Sequence, residues 1–424
     1  MADVKDTWDV VVVGAGAAGL CAAIWAANAG ARVLALEGGP RIGTKILASG
    51  GGRCNVLPSQ WRDDGFWSHS APEALPALLG RWPLPAVRAF FERDLGLPLR
   101  DEAEEKVFPA SGRASDVVVA LLSALSAAGA AMRTGARVTA VESVPTGGFA
   151  IDFELGEQVR ARQVIVACGG LSLPRSGSDG FGLRLAGAIG HEVSETYPAL
   201  VPLTLDAPDL RALAGVSCPA WLRVEERGGQ ALAQEAGAVL FTHRGLSGPA
   251  TLQIAHHLVG PGPRGRRLRI GLGAPALPIA GGSGDAGWAA QLQDGRGGRT
   301  ALQALRGELP QRLADALLTR AGVQGADRLA GLARDARARL LLALTALDPV
   351  VTGSEGYKTA EVTGGGVSLA ELEWSTLQSR RRAGLYFAGE TVDVTGRLGG
   401  FNFLWAFISG RVAGEAAARQ ALSR

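Results

Sequence analysis

The run Asp9-Val10-Val11-Val12-Val13-Gly14-Ala15-Gly16-Ala17-Ala18-Gly19, continuing to Glu37, constrains the fold of this chain more than any other stretch. It combines a short β-branched segment, three glycines in G-x-G-x-x-G spacing, an alanine-rich helical segment and an acid closing a second apolar run, Arg32 to Leu36. Together these form the fingerprint of a dinucleotide-binding βαβ unit. Gly14 permits the tight turn out of the first strand, Gly16 lets the backbone approach a pyrophosphate, and Gly19 lets the helix pack against the sheet. A helix starting here turns the backbone of Ala15, Ala17 and Ala18 and the positive end of its dipole toward phosphate. Glu37, about 20 residues beyond the glycines and followed by Gly38, is placed to accept ribose hydroxyls.

The stretch from Val10 to Ala31 carries no charge and is long enough for a membrane span or a signal peptide. Its glycine and alanine content, the excess of Asp3, Asp6 and Asp9 over Lys5, and the lack of a cleavage pattern favour a soluble chain with no membrane segment. A length of 424 residues predicts two or three domains. The formal charge of +3 does not by itself point to nucleic acid. Cys21, Cys54, Cys168 and Cys218 are scattered with no C-x-x-C pair, which argues against structural zinc or a disulfide framework and fits a reducing cytoplasm.

After the βαβ unit comes the glycine-rich loop Gly43 to Asn55, then aromatics and prolines with a helical pattern over 86–95, and an apolar helix over 117–128. Residues 136–143 and 148–154 alternate as meander strands, and 163–170 reads as a buried parallel strand ending in Gly169-Gly170. Beyond Gly190 the apolar runs 199–203, 222–224, 238–242 and 268–270 suggest a small antiparallel barrel. Residues 260–299 read as a flexible excursion, and 300–347 as helical, with Leu329, Leu332, Ala333, Ala336 and Leu340 on one periodic face. The expected organisation is a discontinuous nucleotide-binding domain, 1–190 with 348–424, around an inserted unit, 191–347. Within that unit the barrel covers 191–275 and the helical part 300–347.

A second acid-bearing strand end, Ala383 to Glu390, separates a flavin site from a nicotinamide site. FAD carries a ribityl chain and ring that need an anchor across the sheet, and Glu390, after Gly389, is the candidate. Gly396, Gly399 and Gly400, followed by Phe401 and Asn402, open a final helix over 403–417 whose N–H groups can face the pyrophosphate and the flavin carbonyl edge. The fold class is therefore α/β, a two-dinucleotide-binding, glutathione-reductase-like FAD Rossmann domain with an inserted β-barrel and helical domain.

Four segments carry a family resemblance: Ser49-Gly50-Gly51-Gly52-Arg53-Cys54-Asn55, Ala167 to Gly180, Phe241 to Ala250, and Gly389 to Asn402. In this order they resemble the bacterial flavoprotein family that includes aminoacetone oxidase and the bile-acid dehydroxylation flavoprotein, the BaiN-like family. The resemblance implies an FAD domain built from both chain ends and a cytoplasmic oxidoreductase. Leu377-Gln378-Ser379-Arg380 and Phe403-Leu404-Trp405 depart from its usual pattern and imply a distinct subgroup, so no substrate is carried over.

Besides the residues above, Thr44, Lys45, Ser49, Gly50, Gly51, Gly52, Arg53, Asn55, Val138, Ala167, Cys168 and Gly169 are candidate cofactor contacts. Lys45, Arg53 and Asn55 are the flavin-adjacent candidates for catalysis, Lys45 because a cation stabilises a reduced ring; the alternative is a solvated loop lysine. Cys54 reads as packing and not as a redox partner. His243 is either a general base or a hydrogen-bonded structural histidine. His256-His257 lacks a carboxylate at ligand spacing, and no metal is expected. Arg264, Arg266, Arg267 and Arg269, with Arg380 to Arg382, read as a solvated face with no nucleic-acid partner expected. The expected chemistry is hydride exchange between FAD and a small organic molecule, with oxygen or NAD(P)H as second redox partner. NAD(P)H would bind transiently, since only one complete fingerprint is present. A flavin-dependent tRNA-modifying enzyme and a non-catalytic redox regulator are the alternatives.

Overall fold

The computed structural model describes residues 7–154, 156–262, 265–276, 285–293 and 298–423. It divides into two compact units at residues 196/197 and 361/362. The first unit is built on β1 (Thr7–Val13), α1 (Ala17–Asn28), β2 (Val33–Leu36), α2 (Ala114–Ala127), β3 (Ala131–Arg133), β4 (Gln158–Val166), β5 (Leu385–Phe387) and α3 (Phe401–Leu422). The strands lie in the order β5, β4, β1, β2, β3, and every neighbouring pair among them is parallel. Short strands at 378–379 and 372–373 extend the β5 edge antiparallel, and a meander of 138–143 and 149–153 pairs with the first half of β4.

The uncharged stretch that could be mistaken for a membrane segment is explained by burial on every side. Val10, Val11 and Val12 are fully buried in the sheet, and α1 is buried along nearly its whole length. Small residues on α1 let α3 approach closely. A Cβ at Gly410 or Gly414 would lie 2.3 Å from the carbonyl oxygen of Ala18 or Ala22, so only glycine fits at those crossings. Among the described residues no helix is long and apolar enough to cross a membrane.

In the second unit six strands form an antiparallel sheet in the order 267–272, 217–225, 231–241, 245–247, 203–206, 350–354. The edge strand 267–272 also bridges to the residues just ahead of the other edge, where Ile270 and Leu347 exchange backbone hydrogen bonds of 2.8 and 2.9 Å. Leu222, Val224, Val239, Phe241, Leu246, Leu268 and Ile270 fill its core with helical residues such as Leu317 and Leu340.

Several expectations need correction. The strand at 350–354 pairs with 203–206, so residues 348–361 belong to the inserted unit and not to the nucleotide-binding one. Residues 191–196 fall with the first unit. The run 199–203 is broken because Leu200 is left-handed (φ 49°) and Pro202 has no N–H to donate; a strand ends at Ala199 and another begins at Leu203. Leu329 and Leu332 do not share a helix with Leu340, since Leu332 and Ala333 are extended and the helix starts at Arg334. The pattern over 86–95 is an α-helix, Leu84–Ala89, continuing as a π-turn, Phe90–Asp94. The excursion over 260–299 contains a strand and a helix, Asp285–Gln293, and its residues 263–264, 277–284 and 294–297, with Arg264, lie outside the described residues.

Candidate cofactor site

The carboxyl ends of β2, β1, β4 and β5 stand side by side, and each delivers a singled-out residue: Glu37, Gly14, Ala167 to Gly169, and Gly389-Glu390. Three interstrand steps of ~4.8 Å separate the first acid from the second strand end, a row about 14 Å long. Crevices at the carboxyl ends of parallel strands are where open α/β sheets bind ligands.

At the β1 end the three glycines have distinct surroundings. A Cβ on Gly14 (φ 102°) would meet the Ala167 carbonyl at 2.5 Å, and one on Gly19 would overlap the Gly14 carbonyl at 1.8 Å. A Cβ on Gly16 would meet nothing within 4 Å. Two glycines are therefore required by packing, and the third faces open space. Gly16 begins α1 without a side-chain cap, leaving that helix end available to an anion. The Glu37 carboxylate accepts the Ala15 N–H (3.2 Å) through one oxygen and the Gly39 N–H (2.9 Å) through the other, which fixes the acid beside the turn.

At the β4 and β5 ends, Lys45 and Glu390 form an ion pair of 2.7 Å. Lys45 also donates to Ser172 Oγ (2.8 Å), and Ser172 donates to Glu390 Oε1 (2.7 Å), which also accepts the Thr363 N–H (3.0 Å). Burial opposes charge on Glu390, but the Lys45 ammonium and these donors outweigh it and hold the carboxyl below its ordinary range. Gly389 (φ 67°) faces the Ala18 side chain across a gap too small for a Cβ, and its N–H is taken by Ser409. Ser172 and Thr363 are not marked by any sequence motif. Only their position, just after Gly169-Gly170 and on the strand Val362–Val367, relates them to the site.

The glycine-rich loop forms a short helix, Thr44–Ala48, and then a turn in which Gly50, Gly51 and Gly52 are all left-handed. Gly51, Gly52 and Gly399 face open space. The loop's polar side chains are engaged within the protein. Ser49 donates to the Ile46 carbonyl, Thr44 to that of Arg41, and Asn55 accepts the Val107 N–H. Arg53 pairs with Glu102 (2.9 Å) and covers the Phe108 ring at 4.1 Å. Asn402 clamps the Gly396 turn through both ends of its amide at 2.8 Å, and Gly400 packs on the Leu57 backbone ahead of buried Phe401. Val138 is buried in the meander, opposite Phe153. Burial pushes the Cys54 thiol up to about 12, with a hydrogen bond to Ser49 acting the other way, and pushes Cys168 up to about 11.

His243 is exposed in the turn between 231–241 and 245–247 of the second unit. The His256 and His257 rings lie 3.8 Å apart, and among the described residues no three His, Cys, Asp or Glu side chains converge as a metal site. Of the arginine clusters, Arg267 pairs with Asp348, Arg269 with Glu225, Arg380 with Glu373 and Arg381 with Glu371.

These residues fit an extended dinucleotide. An open glycine at an uncapped helix start suits a pyrophosphate, an acid stands at one end of the row, and an ammonium with hydrogen-bonding capacity left stands at the other. The family model described as "HI0933-like protein Rossmann domain" matches residues 8–416. A ribosomal RNA dihydrouridine synthase of Escherichia coli is 34% identical over 415 residues, covering 95% of this chain and 96% of that protein. The protein of the same name from Haemophilus influenzae is 32% identical, covering 97% and 98%. A 3-dehydro-bile acid delta(4,6)-reductase of Clostridium scindens is 32% identical over 411 residues, covering 96% and 98%.

Proposed function

This chain belongs to the HI0933-like Rossmann family of FAD-dependent oxidoreductases, and on that premise we propose that it reduces a carbon–carbon double bond conjugated to a carbonyl, with NAD(P)H as electron source. The names of the relatives support the bond type. Making dihydrouridine saturates a uracil double bond beside a carbonyl, and a delta(4,6)-reductase acts on ring double bonds of a bile acid. The observation that carries the reading is the Lys45 ammonium, fixed by Glu390 and Ser172 where β4 and β5 end.

When bound, FAD supplies hydride transfer. The protein's part is placement and charge. The α1 N-terminus and open Gly16 would hold the pyrophosphate, and Glu37 would accept the ribose hydroxyls through its remaining lone pairs. Lys45 would hold a positive charge at the opposite end of the row, favouring the electron-rich state.

The substrate is read as a small organic molecule. A pyrimidine in RNA is the second reading, favoured by the 34% identity to a ribosomal RNA enzyme and disfavoured by the pairing of Arg267, Arg269, Arg380 and Arg381 with acids. Anaerobic reduction of the bound flavin by NADH and NADPH, followed by reoxidation with a panel of enones and with unmodified ribosomal RNA, decides between them. Reoxidation by oxygen alone, with every unsaturated compound inert, overturns the proposal. Absence of any reduction by either nicotinamide removes the electron source and favours a redox regulator.

A further inference from the structure

We propose that the loop 171–180 is the outer wall of the adenosine half of the cofactor site, and that an ion pair between Arg137 and Asp179 is the latch that holds this wall closed. The proposal rests on the FAD reading above. It adds to the site a chain segment and a charged pair that the strand ends alone do not supply.

The loop is rooted at one strand end and reaches toward another. It leaves beyond β4, where the Leu171 and Ser172 N–H groups are held by Thr363 Oγ1 (2.7 and 2.9 Å), and returns where the Gly180 N–H donates to the Gly170 carbonyl (3.0 Å). Between those points the Ser176 N–H closes on the Leu173 carbonyl (2.8 Å) and the Gly177 N–H on that of Pro174 (3.1 Å), so the span is a compact loop with its ends together. One side of its tip meets the end of β2, since a Cβ at Gly177 would lie 4.0 Å from Glu37 Oε1. The other side meets the end of β4, since a Cβ at Gly169 would lie 2.9 Å from the Oγ of buried Ser178. In the sheet β1 lies between β4 and β2, so two successive residues of the loop connect the strand ends on either side of the 14–16 turn.

The tip is tied to the far side by charge. Asp179 Oδ2 accepts from Arg137 Nη1 at 2.8 Å, and Asp179 Oδ1 accepts the Phe181 N–H (2.9 Å) at the start of the helix Phe181–Ala188. The arginine comes from the turn ahead of the meander, where the Ala136 N–H donates to the Glu37 carbonyl (2.9 Å) and the Gly135 N–H to the Gly39 carbonyl (3.0 Å). Its stem lies along Gly38, where a Cβ would come 3.5 Å from both Cα and Cβ of Arg137. The pair thus joins two segments that both touch the Glu37 turn. Pairs as exposed as this one, 34% and 43%, are ordinarily worth little, because two free side chains must be ordered to make them. Here the helix start has already fixed the carboxylate, and Gly38 leaves a groove for the arginine stem, so less freedom is lost when the pair closes. A ribose accepted by Glu37 would have Gly177 beside the same carboxylate, and glycine leaves the room that a side chain would take. Release of the adenosine then requires the tip to swing away from Glu37, which breaks the pair, and the latch keeps the cofactor resident.

The test uses the full-length holoprotein and follows FAD release after dilution by the rise in flavin fluorescence, beside thermal unfolding of the FAD-free protein. Arg137→Gln and Asp179→Asn should each speed release about fivefold, the upper end for a partly exposed pair. Asparagine keeps the acceptor for the Phe181 N–H, so Asp179→Asn alone decides if Arg137→Gln does not fold. The double variant should release no faster than the single ones, because both changes remove one interaction. Raising sodium chloride from roughly 0.05 to 0.5 M should narrow the gap between wild type and variants. The unfolding midpoint of the FAD-free protein should stay at the wild-type value in all three. Unchanged release, or a double variant that multiplies the two single effects, overturns the latch. A lowered midpoint of the FAD-free protein with unchanged release assigns the pair to the fold and overturns it as well. Wild-type protein that neither retains nor rebinds FAD contradicts the underlying FAD reading instead.

Discussion

Gly16 and Gly19 stand three residues apart in one motif and have opposite requirements. Gly19→Ala forces a Cβ into the Gly14 carbonyl and should cost at least the ~1–3 kcal/mol typical of overpacking, seen as a lower denaturation midpoint with or without FAD. Gly16→Ala places a Cβ with no neighbour within 4 Å and should unfold like the wild type without cofactor, yet lose the yellow FAD on gel filtration. Equal destabilisation by both changes would contradict the reading of Gly16 as the open face of the cradle. Cys54 makes a second contrast at this scale. With its thiol pushed up to about 12 by burial, it should resist alkylation at pH 8 in the folded protein and react on unfolding. Cys54→Ser should leave FAD binding intact. Residues of this kind are legible in the sequence because their reasons are local: a turn, a helix start, a strand end. Ser172 and Thr363 are not, because a serine and a threonine become site residues only when strands distant in sequence bring them to one carboxylate.

At the scale of the element, the edge of the first unit's sheet holds a buried group that titrates. His191 follows the helix Phe181–Ala188, shares a hydrogen bond of 2.7 Å with Ser379, lies 3.2 Å from Glu371, and packs edge-on against Phe387 of β5. Arg381, from the arm after Ser379, also pairs with Glu371. Burial lowers the pKa of His191 below its ordinary 6.5, with Glu371 acting the other way and Arg381 reinforcing the shift. The unfolded chain therefore binds a proton at a pH where the folded one does not, so stability is full above about 6.5 and falls as pH drops from there through the folded value. The unfolding midpoint should decline below neutral pH, and His191→Gln should flatten that decline over this range. An unchanged slope would show that other groups set it. Nothing in the sequence marks this cluster, since Leu377 to Arg380 stands out only as a departure from a family pattern. Elements with a clear period, β1, α1 and the last helix, are anticipated to within a few residues. The helical stretch ahead of Leu347 is misjoined because Leu329 and Leu332 mimic the spacing of a helix that begins only at Arg334.

For the whole molecule, the candidate site's two ends come from the two ends of the chain, so the FAD reading links cofactor binding thermodynamically to the fold. Added FAD should raise the unfolding temperature by mass action, about 2.7 kcal/mol of stabilisation at a hundredfold excess over Kd, and FMN, which lacks the adenosine half, should not. A chain cut after residue 361 loses β5, Glu390 and α3 and should neither fold nor retain flavin. Removing 197–361 and closing the gap with a short glycine linker should preserve FAD binding, because a Cβ on Gly365 would lie only 2.2 Å from the Glu195 carbonyl and the two cut ends are therefore neighbours. Loss of flavin from that shortened chain, with native circular dichroism, would show that the inserted unit is needed to hold the cofactor. The order of parallel strands is legible from apolar runs and glycine turns. The boundaries at 196/197 and 361/362 are not, because the last strand of the inserted sheet, 350–354, has the same Val and Gly character as the candidate-site segments that follow it.

That adjacency of the two crossings has a consequence for what the chain can tolerate. Segments 193–199 and 362–367 are hydrogen-bonded neighbours, so the points where the chain leaves the first unit and re-enters it lie side by side. The inserted unit can be lengthened, trimmed or exchanged without re-threading the central sheet. A change of length or sequence between those two segments therefore leaves the order of the five parallel strands untouched, since all five lie outside them.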